Sequence, residues 1–80
     1  MDLNLLIGLD ALLEQRSVQN AAVQLHLTPP AVSRILSRLR TATGDELLVR
    51  SGRQMIPTAR ALEMQSDVRD LVARAEQILS

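Results

Sequence analysis

The chain has 80 residues, a formal net charge of zero and 46% hydrophobic residues, none of which is aromatic. A chain of this length forms one domain with a small core, because it buries only about 60% of the surface that its unfolded form exposes. Leu, Val, Ile, Ala and Met must build that core, which favours helices over a sheet-based fold.

Composition also argues against several classes of function. The chain has no Cys and a single histidine, His26, so it offers no disulfide, no set of metal ligands and no nucleophile paired with a base. We therefore expect no enzymatic activity, no metal site and no cofactor. No apolar stretch approaches the roughly 20 residues that cross a bilayer, and the N-terminal MDLNLL has an acid where a signal peptide has basic residues. A cytoplasmic protein without a membrane partner is expected.

Basic residues are concentrated in the middle of the chain although the net charge is zero. Residues 31–60 hold six arginines and two carboxylates, a net charge of +4, whereas residues 1–16 and 61–80 each carry −2. All nine basic residues are arginines, whose planar guanidinium groups suit contacts to phosphate and guanine, although a biased genomic base composition would produce the same preference. The middle of the chain is the predicted site for an anionic partner.

Two helices are predicted before the basic segment. Asp2 is a good N-cap for a first helix that runs to about Gln15, with leucines recurring every three or four residues. Ser17 caps a second helix over Val18–Leu25. In the turn that follows, Leu27 is expected to point inward.

The third predicted helix carries a polar face opposite an apolar one. Thr28 is its N-cap and Pro29 its first residue, although Pro30 disfavours helical geometry at the residue before it and allows a start one residue later. At 100° per residue, one face collects Ser33, Arg34, Ser37 and Thr41, and the opposite face collects Val32, Ile35, Leu36 and Leu39. Small hydroxyl side chains beside arginine allow close approach to base edges, so this helix is predicted to be the reading helix of a helix-turn-helix.

A short hairpin is predicted after Gly44, which is a natural helix terminator. Leu47–Arg50 and Gln54–Pro57 are the predicted strands, joined by a three-residue turn. The hairpin either covers one end of the core or acts as a wing. As a wing it would place Arg53, with Arg50 as a further candidate, against DNA phosphates or in the minor groove.

The last predicted helix begins at Ala59, after the N-cap Thr58, and continues to the end of the chain. Its apolar residues recur at alternating intervals of three and four, as in a coiled coil: Ala61, Met64, Val68, Leu71, Ala75 and Ile78. Leu62, Val72 and Leu79 broaden this stripe beyond what one packing surface needs. The helix is therefore predicted to pack both on its own domain and on a second copy of the chain, which makes a homodimer.

These motifs resemble the N-terminal DNA-binding domain of LysR-type transcriptional regulators over essentially the whole chain. The matching segments are MDLNLL at the start, Ala21-Ala22 followed by LHL, PAVSR from Pro30, SRLR from Ser37, GDELLVR from Gly44, and the GR and PT of the hairpin. The segments LRTATGDELLVR and MIPTARA are most similar to the branch that includes regulators of nodulation and of aromatic catabolism.

The resemblance implies a mainly α fold with two parts. Residues 1–58 would form a winged helix-turn-helix, with a three-helix core and a short β-hairpin wing, and residues 59–80 a long linker helix for dimerisation. It also implies a larger effector-binding domain, absent from these 80 residues, through which any small-molecule effector would act.

The family's DNA contacts can be carried over by position. Together with the exposed face and the basic helix end, they give the predicted DNA-binding set: Thr28, Pro29, Pro30, Ser33, Arg34, Ser37, Arg38 and Arg53. Within it, Pro30, Ser33 and Arg34 are the expected base readers, while Arg38, and Arg40 beyond the set, have flanking or phosphate-level roles. Pro29 departs from the family, which commonly has Gln there, so that contact is expected to be lost. Val18 and Leu48 stand where the family usually has Phe.

The predicted function is sequence-specific binding of double-stranded DNA by a dimeric bacterial transcriptional regulator. The reading helix would lie in the major groove of a partly palindromic operator, with the wing near the minor groove. The alternative is a helix-turn-helix module that binds another protein and not DNA, which the neutral net charge and the lack of Lys support.

Overall fold

The computed structural model describes residues 2–80, which form four helices and one two-stranded antiparallel sheet. In chain order the elements are α1 (Leu3–Gln15), α2 (Val18–Leu25), α3 (Pro29–Thr43), β1 (Leu48–Ser51), β2 (Gln54–Pro57) and α4 (Ala59–Leu79). The predicted mainly helical architecture is confirmed.

Each helix begins at a side chain that caps its free backbone amides. The Asp2 carboxylate accepts a hydrogen bond from the backbone N–H two residues later at 2.8 Å, and the Ser17 hydroxyl accepts one from the N–H three residues later at 3.1 Å. Thr28 and Thr58 cap α3 and α4 with the same three-residue spacing, at 3.3 and 3.1 Å. All four predicted N-caps are confirmed.

Helix α3 begins at Pro29, so the later start that Pro30 allowed is wrong. The first N–H groups of a helix have no acceptor within it, and two prolines in the first turn therefore remove no hydrogen bond. At the other end, Gly44 has a left-handed backbone (φ 68°) and its N–H donates to the carbonyl of Arg40 at 2.9 Å.

Helix α1 lies at the centre of the fold and packs against all three other helices. Its residues from Gly8 to Leu13 are all buried, which explains why its sequence is apolar over most of its circumference. Gly8 permits close packing on α3, because a Cβ at this position would lie 2.6 Å from Cγ2 of Ile35. The small core predicted from composition is therefore built around one helix.

Leu27 is exposed rather than directed inward, so that prediction is wrong. His26 ends α2 in a left-handed conformation (φ 56°), and the side chain of Leu27 then lines an open groove between α1 and α3 with 43% of its surface exposed. Leu25, one residue before the turn, packs against the core instead.

The hairpin pairs Leu48 with Pro57 and Ser51 with Gln54. Its loop has two residues, with Gly52 in first position at φ 62°, which is the geometry that tight hairpin turns require. The first strand is predicted one residue too early at both ends, and the predicted three-residue turn is wrong, because Ser51 pairs with Gln54. The fully buried Leu47 has a left-handed backbone (φ 65°) that cannot belong to a strand.

Helix α4 packs on α1 and contacts β2. Besides apolar contacts, Nη1 of Arg69 lies 2.9 Å from Oδ2 of Asp10, a carboxylate with only 6% of its surface exposed. Burial raises the pKa of Asp10, and the nearby guanidinium of Arg69 opposes this shift.

Among residues 2–80, no helix combines the length and apolar character that crossing a membrane requires.

Candidate nucleic-acid interface

The polar side of α3 is open to solvent from its N-cap onward. All seven predicted binding residues on this segment are exposed: Thr28, Pro29, Pro30, Ser33, Arg34, Ser37 and Arg38. The opposite side of the helix is held in the core by the buried Val32, Leu36 and Leu39. The structure therefore brings these seven residues together on one rigid element.

The arginines of the basic segment differ in whether their guanidinium groups form hydrogen bonds or ion pairs within the described part of the chain. Arg34, Arg38, Arg50 and Arg53 are exposed, and their guanidinium groups have no hydrogen bond or ion pair with any of residues 2–80. A guanidinium without an internal partner can bind phosphate or guanine without first breaking a contact. These four side chains supply the positive charge that a polyanion would meet.

Arg40 does not belong to this free set, although it was assigned a flanking or phosphate-level role. Its Nε donates to the carbonyl of Glu46 at 2.9 Å and its Nη2 to the carbonyl of Leu48 at 2.7 Å. The same guanidinium lies 3.5 Å from the Glu46 carboxylate. Arg40 therefore fixes the start of β1 against the end of α3, and it positions the wing.

A second set of hydrogen bonds fixes the loop between α3 and β1. Oδ2 of Asp45 accepts from the Thr58 hydroxyl at 2.6 Å and from the backbone N–H of Leu47 at 2.9 Å. These hydrogen bonds, the Thr58 bond first, lower the pKa of Asp45. Arg60 donates to the carbonyl of Thr43 at 2.7 Å, so that the beginning of α4 is fastened to the end of α3.

The wing presents Arg53 at its tip and Arg50 on β1, both exposed. Two adjoining clefts separate this hairpin from the beginning of α2, and Arg16, at the end of α1, lines both of them.

The described residues contain no group of three or more His, Asp or Glu placed to hold a metal ion.

The predicted dimerisation stripe on α4 is divided between two environments. Ala61 and Val68 are buried in the chain's own core and Met64 packs against it, so these three cannot offer much surface to a partner. Leu71 and Ile78 are 57% and 76% exposed, and Ala75 is half-buried. Leu62 is also exposed, but it lies on the other side of the helix beside Asp10.

Three helices around one core, a hairpin before the fourth helix and an exposed basic face on α3 define a winged helix-turn-helix domain. Residues 3–62 match the model of the bacterial regulatory helix-turn-helix proteins of the lysR family. The chain belongs to the LysR family, which confirms the resemblance drawn from its motifs.

Relatives and solved structures agree with this assignment. Nodulation protein D 2 of Sinorhizobium fredii (strain NBRC 101917 / NGR234) is 50% identical over 70 residues, which are 88% of this chain and 22% of that protein. The crystal structure of a probable transcriptional regulator from Pseudomonas aeruginosa superposes with a TM-score of 0.94 at 39% identity, covering 100% of this chain and 27% of that one. The BenM_DBD/catB site 1 DNA complex superposes with a TM-score of 0.88 at 26% identity, covering 99% and 89%. The chain thus spans about a fifth of the length of the curated relative.

Proposed function

We propose that this chain is the DNA-binding part of a dimeric bacterial transcriptional regulator that works in the cytoplasm. Residues 1–58 form the unit that binds DNA, and residues 59–80 form the helix that joins two copies. Any small-molecule effector acts through a separate domain outside these 80 residues.

The observation that carries the proposal is the exposed face of α3, where Arg34 has no partner among residues 2–80 and lies next to Ser33. An arginine of this kind can donate two hydrogen bonds to a guanine edge in the major groove, and a small neighbouring side chain permits close approach. The solved DNA complex of the BenM domain, which has a similar fold, supports DNA binding by this chain.

The remaining predicted residues contribute in different ways. Pro30 contacts bases by its apolar ring, while Thr28, Ser37 and Arg38 bind backbone phosphates along the groove. Pro29 has no N–H and no side-chain amide, so it offers only van der Waals contact at a position where the family commonly has Gln. Arg53, at the tip of the wing, binds the backbone near the adjacent minor groove.

The dimer forms through the exposed part of the α4 stripe, with Leu71, Ala75 and Ile78 at its centre. Two copies related by a twofold axis would present two α3 helices to a partly palindromic operator. A protein-interaction module fits the observations less well, because such a module has no need for a basic surface on α3 and the hairpin whose four arginines, Arg34, Arg38, Arg50 and Arg53, have no partner among the described residues.

Selection of bound duplexes from a random pool tests the proposal. We expect the 80-residue chain to enrich a consensus with two related half-sites, and its affinity for that duplex to fall steeply as salt rises, because released counterions drive the phosphate contacts. Failure to enrich any sequence, together with no measurable duplex binding at low salt, would refute DNA binding and favour the protein-interaction module.

A further inference from the structure

We propose that the space between the wing and the beginning of α2 is a second anchor for DNA, in which Arg16, Arg50 and Arg53 bind a backbone phosphate outside the bases read by α3. This inference rests on the proposed function, and it adds Arg16, from the end of α1, to the interface.

The first observation is the lining of the two adjoining clefts. Both are lined by Arg16, Ser17, Arg53 and Met55, and one of them also by Arg50. Their other polar side chains are amides: Gln15, Gln19, Asn20 and Gln54. None of the described residues that line the two clefts is a carboxylate, so three arginines share one concave surface with no acidic side chain among its lining residues.

The second observation is that these three guanidinium groups are free. None of them has a hydrogen bond or an ion pair within the part of the chain that the structure describes, whereas Arg40, Arg60 and Arg69 are all bound by carbonyl or carboxylate oxygens. An anion between these three positive charges would reduce their mutual repulsion. The arrangement therefore offers a site for an anion.

The backbone at Arg16 makes the inference testable. Arg16 closes α1 in a left-handed conformation (φ 53°), and its N–H donates to the carbonyl of Leu12 at 2.7 Å. Glycine is the residue that fits this conformation best, so a long charged side chain here reduces the stability of the fold. His26 and Leu47 share this left-handed backbone (φ 56° and 65°), so the conformation assigns no role by itself, but it allows a glycine variant to separate stability from binding.

The chemistry and the location together identify the anion. Guanidinium groups bind the oxygens of phosphate in a fork, and amide and hydroxyl groups complete such a site with further hydrogen-bond donors. Because the wing that supplies Arg53 is itself part of the proposed DNA interface, the phosphate belongs to the backbone that continues past the major groove. Free inorganic phosphate has the same chemistry and is distinguished by experiment.

The variant Arg16→Gly tests this inference, because the two roles of the residue predict opposite effects. Glycine relieves the left-handed backbone, so the melting temperature should rise, while affinity for the selected duplex should fall. The loss should be similar for all sequences, and the slope of log affinity against log salt should become shallower by about one. A merely structural role would move stability and binding in the same direction.

Phosphate ethylation interference locates the contact. We expect ethylation of one phosphate outside the bases read by α3 to weaken binding of the wild-type chain strongly, and to weaken binding of Arg16→Gly less, because only Arg50 and Arg53 still contact that phosphate. The variant Arg16→Lys, which retains the charge, should restore the salt slope. The control Arg74→Gln removes an exposed arginine beside Asp67 and Asp70 on α4, and it should leave the interference pattern unchanged.

An unchanged slope and an unchanged interference pattern in Arg16→Gly would overturn the inference while the selected consensus still supported DNA binding. Inorganic phosphate distinguishes a site for free phosphate from a site for DNA. If phosphate raised the melting temperature of the wild-type chain but not that of Arg16→Gly, while duplex binding did not depend on Arg16, the inference would also be overturned. Absence of duplex binding by the wild-type chain would refute the proposed function itself.

Discussion

Arg34 and Arg40 lie six residues apart on α3, yet only one of them forms hydrogen bonds within the described part of the chain. Arg40 donates to two backbone carbonyls near the start of β1, whereas Arg34 has no partner among the described residues. Arginines of the first kind stabilise the fold, and those of the second kind are available to a ligand. Net charge therefore underestimates how basic the binding face is, because the acidic groups that neutralise the chain lie mostly on α1 and α4.

Replacing Arg34 with Ala should weaken binding to the selected duplex by about 1 to 3 kcal/mol, because a side chain that binds a base edge contributes on this scale. The loss should be confined to the specific sequence, with discrimination relaxed at one base step. Replacing Arg53 with Ala should instead weaken binding evenly across sequences. Titrations of wild-type and variant chains with matched and mismatched duplexes measure both effects, and equal wild-type and Arg34→Ala affinities would contradict the assignment of the reading face.

At the scale of secondary-structure elements, side chains from α3 and from the loop before β1 hold the wing in place. Arg40 on α3 binds the start of β1, and Asp45 in the connecting loop binds both Leu47 and the N-cap of α4. The pairing register of a two-stranded hairpin does not fix its orientation relative to the rest of the domain. These polar contacts, together with burial of Leu48 and packing of Met55 on the core, determine where Arg53 lies relative to α3.

The contacts of Asp45 predict a pH dependence of stability. Because hydrogen bonds lower its pKa in the folded chain, the ionised carboxylate stabilises the fold at neutral pH. That contribution is fully present above the pKa of the unfolded chain, about 4, and is lost as pH falls through the lower folded value. Wild type should therefore be more stable than Asp45→Asn at pH 7, with the difference shrinking below about pH 4.

Urea unfolding of both proteins between pH 7 and pH 2.5 measures this difference. Other carboxylates, including the buried Asp10, are present in both chains and cancel in the comparison. A difference in unfolding free energy that stays constant over the whole range would show that the contacts of Asp45 do not depend on its charge.

At the scale of the whole molecule, α4 extends the apolar surface beyond what one small core covers. Ala61, Val68 and Val72 are buried against the chain's own core, while Leu71 and Ile78 remain exposed on a neighbouring face. A small domain gains stability by burying such a face against a second copy. The same helix therefore serves folding with one side and the proposed association with another.

The variant Leu71→Arg should convert the proposed dimer to a monomer in analytical ultracentrifugation, since a charge at the centre of the stripe cannot be buried without a partner. Leu62→Arg is a matched control, because Leu62 is 52% exposed, close to the 57% of Leu71, and lies on the other side of α4 beside Asp10 and Glu14. The control should remain a dimer. Dissociation of both variants, or of neither, would refute this face as the interface.

Much of the fold follows from local sequence, because caps and apolar spacing act within a few residues. Asp2, Ser17, Thr28 and Thr58 mark the helix starts, and the boundaries they predict agree with the structure within one residue. The exposed face of α3 follows from its period of 3.6 residues. Leu27 was misjudged because burial at a turn depends on how α1 and α3 diverge, which no local pattern encodes.

The sequence alone predicts the roles of individual arginines less well. The partners of Arg40 and Arg60 are backbone carbonyls, which every residue possesses, so their positions become visible only in three dimensions. Arg16 carried no motif either, and its relation to the wing depends on α1 ending where the hairpin approaches. For α4, the three-four spacing predicted an apolar stripe correctly but could not tell which part faces the chain's own core.

Because α1 packs against both α3 and α4, it sets the distance and angle between the reading surface and the proposed partner surface. The contact of Gly8 with Ile35 fixes one side of α1, and the ion pair of Asp10 with Arg69 fixes the other. Neither pair of residues needs to touch DNA. In the proposed dimer, we therefore expect substitutions on the two sides of α1 to alter the preferred spacing between the two half-sites and to leave the sequence of each half-site unchanged.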